Sequence, residues 1–145
     1  MISTTTEYAF RAMVSLAALP SGVPATATQI SVASGVPRNY LSKILGTLRR
    51  AGLVTGERGP HGGFKLSRPA QAITALEIVG QFENFDLRRR CILGGPLCAE
   101  PGGCEAHRRW TCVWTALDTF FNETTLAMLQ TVPFDRTGRT RRVGK

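Results

Sequence analysis

Gly35 and Pro37 stand two residues apart between two stretches of helical periodicity, and they leave little freedom in how those stretches meet. Upstream, Thr26-x-x-Gln29 has capping-box spacing and opens a short helix with Ile30 and Ala33 expected inward. Gly35 ends that helix where a left-handed residue is wanted, and Pro37, with its preset φ, suits the first position of the next. Two helices joined by so short a turn have the layout of a helix-turn-helix.

The second helix, from Pro37 to about Arg50, separates into two faces. Leu41, Ile44, Leu45 and Leu48 recur at i, i+3, i+4 and i+7 and are expected to pack inward. Arg38, Asn39, Ser42 and Lys43 fall on the other side near the N-terminal end, where a recognition helix presents side chains to base edges in the major groove. Tyr40, and Thr28 on the preceding helix, join them as candidate DNA contacts. The polar face of any surface helix has the same composition, so the next segment carries the argument. After Ala51-Gly52, the runs Leu53 to Arg58 and Phe64 to Arg68 flank Gly59-Pro60-His61-Gly62-Gly63. A hairpin carrying Arg58, His61 and Lys65, with glycines that permit close backbone approach, fits a wing lying on phosphates or in a minor groove. His61 is read as a groove or backbone contact, since no other ligand type lies near it in sequence.

On either side of this unit the chain is helical. Thr4-x-x-Glu7 reads as a capping box ahead of Ala9, Ala12, Met13, Leu16 and Ala17, a core helix stopped by Pro20, Gly22 and Pro24. Thr74-x-x-Glu77 opens another, with Leu76, Val79 and Phe82 available for packing. Further on, Trp110, Val113, Trp114, Leu117, Phe120 and Phe121 form a wide aromatic stripe on a long helix. A small domain cannot easily cover that much aromatic surface, so the stripe predicts a homodimer interface with the same helix of a second copy; the plainer alternative is an intrachain core helix. The fold expected is mainly α with a small β-hairpin wing, a winged helix-turn-helix plus a long dimerisation helix. Residues 1–82 would form the DNA-binding domain, 83–107 a cysteine-rich loop, 108–131 the dimerisation region and 132–145 a basic, disordered tail.

Cys91, Cys98, Cys104 and His107 lie within seventeen residues, separated by Gly94, Gly95, Pro96, Pro101, Gly102 and Gly103. Three thiolates and an imidazole gathered on such a loop suit an iron–sulfur cluster or a tetrahedral zinc. A disulfide switch and inert structural thiols are the alternatives. Ordinary structural cysteines sit singly on apolar faces, whereas Cys91 follows Arg88-Arg89-Arg90 and the others stand among Gly, Pro and Glu. Cys112, between Thr111 and Val113, is expected to be a packed thiol outside the ligand set.

Charge agrees with this division. Residues 1–75 hold eight basic and two acidic side chains, a net of +6, while residues 76–135 hold five basic and eight acidic, a net of −3. The last ten residues add five basic side chains. A basic surface in the proposed DNA-binding half points to double-stranded DNA, and without a long basic amphipathic helix a membrane is not expected as partner. The apolar stretch Ala12 to Leu19 is too short to span a bilayer and residues 1–7 lack a basic leader, so a soluble cytoplasmic protein is expected. There a cysteine group reads as metal-binding or redox-sensing rather than as a disulfide framework. No Ser-His-Asp, paired-carboxylate or phosphate-loop arrangement suggests an enzyme.

Four segments carry a family resemblance: Glu7-Tyr8-Ala9 with Arg11-Ala12, Val36-Pro37-Arg38-Asn39-Tyr40-Leu41-Ser42-Lys43-Ile44-Leu45, Leu48-Arg49-Arg50-Ala51-Gly52-Leu53-Val54 and Arg58-Gly59-Pro60-His61-Gly62-Gly63-Phe64-Lys65-Leu66. Together with the cysteine loop, they resemble the Rrf-type winged-helix regulators of bacteria, in the cysteine-containing, IscR/NsrR/RirA-like branch. The resemblance runs from about Met1 to Leu129. It implies a homodimeric transcription factor on a palindromic operator, with DNA affinity set by an iron–sulfur cluster, 2Fe-2S or 4Fe-4S. Cys91, Cys98 and Cys104 match that branch's three cysteines, with a first spacing one residue longer than its common form. His107 matches an IscR-like fourth ligand; its rival is Glu7, supplied by the partner subunit in some relatives.

Overall fold

The structure, a computed structural model, describes residues 2–85, 91, 93 and 104–130. Cys98, the glycines and prolines of the cysteine loop and the basic tail lie outside the described residues. Along the chain come α1 (Thr4–Ala17), α2 (Ala27–Ser34), α3 (Arg38–Arg50), β1 (Val54–Glu57), β2 (Gly63–Leu66), a 3-10 turn (Ala70–Ala72), α4 (Ala75–Val79), α5 (Glu105–Glu123) and α6 (Leu126–Leu129). This is the expected winged helix-turn-helix followed by a long helix.

Local capping decides most element starts. In α2 the Thr26 hydroxyl accepts from the Gln29 amide at 3.2 Å, and the Gln29 side chain accepts from the Thr26 amide at 2.8 Å, closing the predicted box. Thr74 and Glu77 do the same for α4 at 3.3 and 2.9 Å. Gly35 takes the left-handed conformation that ends α2, at φ 69° and ψ 15°. Three local readings shift. Pro37 is the N-cap of α3 rather than its first helical residue. Ala33 is exposed and Ser34 is buried in its place, its hydroxyl satisfied by donating to the Ile30 carbonyl at 2.6 Å. The Thr4/Glu7 box does not form: the N-cap of α1 is Ser3, whose side chain accepts from the Thr6 amide, and Glu7 instead pairs with Arg11 one turn on.

The core assembles around α1. Ala9, Ala12, Met13 and Leu16 meet Ile30, Val36, Leu41, Ile44, Leu45 and Leu48 from the helix-turn-helix, with Leu53, Val54, Ile73 and Ile78 closing the sides. The hairpin pairs Val54 with Leu66 and Glu57 with Gly63 in antiparallel register. A third segment joins it: Ala25 and Phe64 exchange both backbone hydrogen bonds, at 2.8 and 2.7 Å, fixing the wing to the entrance of α2. At the far end, the Ala75 amide donates to the Thr124 carbonyl and the Leu126 amide to the Ile73 carbonyl, both at 2.8 Å, so the end of α5 is stitched to the start of α4. Leu126 then inserts into the main core and the Gln130 side chain donates to the Ala17 carbonyl at 2.6 Å. Among the described residues no helix is long and apolar enough to cross a membrane.

Candidate functional site

The amphipathic pattern of α3 turns Leu41, Ile44, Leu45 and Leu48 into the core and leaves Arg38, Asn39, Tyr40, Ser42 and Lys43 exposed on the opposite side. Arg38 is held before any ligand arrives, its guanidinium donating to the Thr28 hydroxyl on α2 at 2.8 Å. That bond crosses the turn and ties together two candidate contacts. Tyr40 is half-exposed, its ring edge-on to Tyr8 at 5.8 Å. In the wing, Arg58, Gly59, Pro60 and His61 are all exposed, and Arg58 makes no hydrogen bond or ion pair among the described residues. Lys65 differs, since it pairs across the hairpin with Glu57 and is only partly exposed. Gly62 and Gly63 also answer to the fold. A Cβ on Gly62 would overlap the Glu57 carbonyl and one on Gly63 the Ala25 carbonyl, while Gly59 has open space around it.

The cysteine centre forms at the start of α5. Cys104 is the N-cap, and its sulfur accepts from the His107 amide at 3.3 Å. Cys91 is buried and its sulfur lies 3.8 Å from that of Cys104. A disulfide would hold them at about 2.05 Å, whereas two thiolates on one tetrahedral ion with bonds of about 2.3 Å stand about 3.8 Å apart. His107 adds a second sign. Its Nδ1 is buried with no hydrogen-bond partner among the described residues, a state that ordinarily costs about 1–3 kcal/mol. Two sulfurs 3.8 Å apart and, on the same helix turn as Cys104, an imidazole nitrogen without a partner among the described residues therefore suit a thiophilic metal centre. Groups of three or more metal ligands do not occur among the described residues, which exclude Cys98. Beside the centre, hydrogen bonds from Arg108 and then Arg109 hold the Glu105 carboxyl below its ordinary range. Glu7, the alternative ligand from a partner, is exposed on α1 and paired with Arg11.

The stripe on α5 divides. Phe121 is buried against Ala75 and Val79; Phe85 packs its ring on Trp114 at 5.7 Å and on Phe121 at 5.3 Å; Trp110 and Leu117 lie partly covered on the same side. Val113 and Phe120 are half-exposed at the edge of that side, Val113 beside Trp110 and Trp114 and Phe120 beside Phe10 and Phe121, with exposed Ala116 beyond them. Cys112 is on the outer side of the helix, exposed rather than packed, because the apolar periodicity is satisfied by residues almost diametrically across from it.

Residues 2–131 match the Rrf2 family, described as an iron-dependent transcriptional regulator. This chain belongs to the Rrf2 family of transcriptional regulators. Solved structures agree with that placement. CymR (YrzC), the global cysteine regulator of B. subtilis, is 28% identical with a TM-score of 0.71, over 90% of this chain and 96% of that one. IscR from T. potens is 25% identical with a TM-score of 0.72, over 89% of this chain and 85% of that one. The oxidized form of Staphylococcus aureus CymR is 29% identical with a TM-score of 0.69, over 90% and 96%.

One residue of this Rrf2 regulator had no signal in the sequence. Glu83 is buried, and its carboxylate accepts from the Ser3 amide and the Thr6 hydroxyl, each at 2.7 Å. Its partners lie 80 and 77 residues away, beyond the reach of any periodicity or capping pattern.

Proposed function

We propose that this Rrf2 regulator binds a palindromic double-stranded operator as a two-fold homodimer, and that an iron–sulfur cluster held by Cys91, Cys98, Cys104 and His107 controls its affinity. The single observation carrying the cluster is the 3.8 Å approach of the Cys91 and Cys104 sulfurs, with the buried His107 Nδ1 lacking a hydrogen-bond partner among the described residues. When bound, such a centre supplies sensitivity to oxidation, to competing ligands and to iron supply. The chain's own residues do the rest. Cys104 caps α5, so any change in what its sulfur binds acts on the first turn of that helix. The exposed edge of α5, with Val113, Ala116 and Phe120, packs against the partner; Trp110, Trp114, Leu117 and Phe121 hold the helix to its own subunit.

On DNA, the N-terminal end of α3 enters the major groove with Arg38, Asn39, Tyr40, Ser42 and Lys43, and Thr28 steadies Arg38. Arg58, Gly59, Pro60 and His61 follow the backbone or minor groove, while Gly62 and Gly63 shape the wing that carries them.

A second reading keeps the fold and replaces the cluster with zinc or a thiol–disulfide switch. The same 3.8 Å separation favours it, since it also suits a tetrahedral zinc and leaves the sulfurs a short movement from bonding. Colour separates the two. Anaerobically purified protein should be brown with visible absorption that Cys91→Ala or Cys104→Ala removes; a colourless protein retaining zinc would favour the second reading.

A further inference from the structure

Glu83 is a charged side chain that the fold buries and that neither the DNA-contact set nor the cysteine centre explains. It is 8% exposed, Thr6 is fully buried, and the hydroxyls of Ser3 and Thr6 stand 2.9 Å apart. In an ordinary capping box the third residue of the helix returns a carboxylate to the N-cap amide. The third residue of α1 is Thr6, which has none, so Glu83 supplies that carboxylate from elsewhere in the chain. The helix dipole and charge-assisted donors stabilise it there, and its removal would strand buried donors.

Its neighbours give the contact a consequence. The Glu83 amide donates to the Val79 carbonyl at the end of α4 at 2.9 Å, and Phe82 packs against the main core. Two residues on, Phe85 grips Trp114 and Phe121 of α5, the helix that begins at Cys104. One short span therefore touches both α5 and the N-terminus of α1, the helix on which α2 and α3 pack. We propose that Glu83 is a positioning residue that couples the cysteine end of α5 to the helix-turn-helix: displacement of α5 moves Phe85, and Glu83 makes α1 follow. This rests on the sensing reading above. The Glu83 bonds to Ser3 and Thr6 are the discrete contact whose making or breaking both ends bias.

The test compares iron–sulfide-reconstituted and metal-free protein on one duplex selected by the wild type from a random pool. Coupled sites commonly differ by roughly 5–150-fold in affinity, and in Glu83→Ala that ratio should fall to within about twofold of unity. Its cluster absorption should persist, and in the metal-free protein its Thr6 and Glu7 amides should exchange faster than those of the wild type. Glu83→Gln, which keeps an acceptor oxygen, should retain most of the ratio. Thr6→Val removes one donor at nearly constant volume and reads the same contact if Glu83→Ala does not fold. A responsive wild type with an equally responsive Glu83→Ala, or Thr6→Val in its place, would overturn the coupling alone. A wild type indifferent to reconstitution would overturn the regulatory reading and the coupling with it.

Discussion

Cys104 occupies two roles at once: it caps α5 by accepting the His107 amide, and its sulfur lies 3.8 Å from that of Cys91. Substitution there should remove a ligand and loosen the first helical turn together, so Cys104→Ala is expected to bleach the visible absorption and lower stability by about 1 kcal/mol, the usual size of a lost cap. Cys91→Ala should bleach without the capping loss, and Cys112→Ala, on the outer face, should do neither. Absorption spectra and thermal melts of the three variants check this; equal bleaching by Cys112→Ala would show that the ligand set is misassigned. His107→Ala should leave a more labile chromophore, and an unchanged one would move the fourth ligand to Glu7. Arg38 and Arg58 should differ in kind. Arg38→Ala or Asn39→Ala should cost roughly 1–3 kcal/mol on the cognate duplex and little on scrambled DNA, while a lost phosphate contact at Arg58 should weaken both and reduce the salt slope by about one. Thr28→Val, which frees the Arg38 guanidinium, should reproduce part of the Arg38 effect. Titrations at several salt concentrations distinguish these outcomes, and recognition-helix variants that leave the cognate-to-scrambled ratio unchanged would remove α3 from the major groove.

Among the elements, α5 is two-sided, and each side gives its own result. Phe120→Glu or Val113→Glu alters a half-exposed position, so the chain should fold and light scattering should report monomer; Phe121→Glu places a charge in a buried cluster and should unfold it. A Phe120→Glu protein that stays dimeric with full DNA affinity would place the interface elsewhere. The short α4 carries a pH signature. Burial alone would raise the Glu77 carboxyl, but hydrogen bonding to the Thr74 amide and the Arg68 guanidinium outweighs it and sets it below the ordinary 4.5. A depressed carboxyl contributes fully above its unfolded value and loses that contribution as pH falls through its folded one. The destabilisation by Glu77→Ala, about 1 kcal/mol at neutral pH, should therefore shrink below pH 4.5 in thermal melts. Where both partners of a contact lay within one turn, as in Thr26/Gln29 and Thr74/Glu77, the element was legible in the sequence. The start of α1 was not, because its carboxylate comes from Glu83. Likewise, periodicity shows that α5 has an apolar side but not that Phe85 and Val79 cover it, and for the same reason Cys112 is exposed where the sequence predicts packing. The hairpin was readable from its glycines; the pairing of Phe64 with Ala25, which explains Gly63, joins segments too distant for any local pattern.

For the whole molecule, basic charge lies in the half that carries the helix-turn-helix, and the cysteine centre lies at the opposite end of a helix stitched back onto that half through Thr124, Leu126 and Gln130. Composition and spacing exposed both ends of this arrangement. The connection between them depends on tertiary contacts, of which Glu83 and Phe85 are the clearest, and only the folded chain reveals those. A two-fold dimer presents two α3 helices together, so half-sites should be one helical turn, about 34–36 Å, or a multiple of it apart. The most direct measurement is an anaerobic titration of one selected duplex with the same protein preparation before and after iron–sulfide reconstitution, following visible absorption and DNA affinity in parallel. Affinity that changes in proportion to cluster occupancy, by roughly 5–150-fold at saturation, is the predicted result; full occupancy with no change in affinity would contradict it.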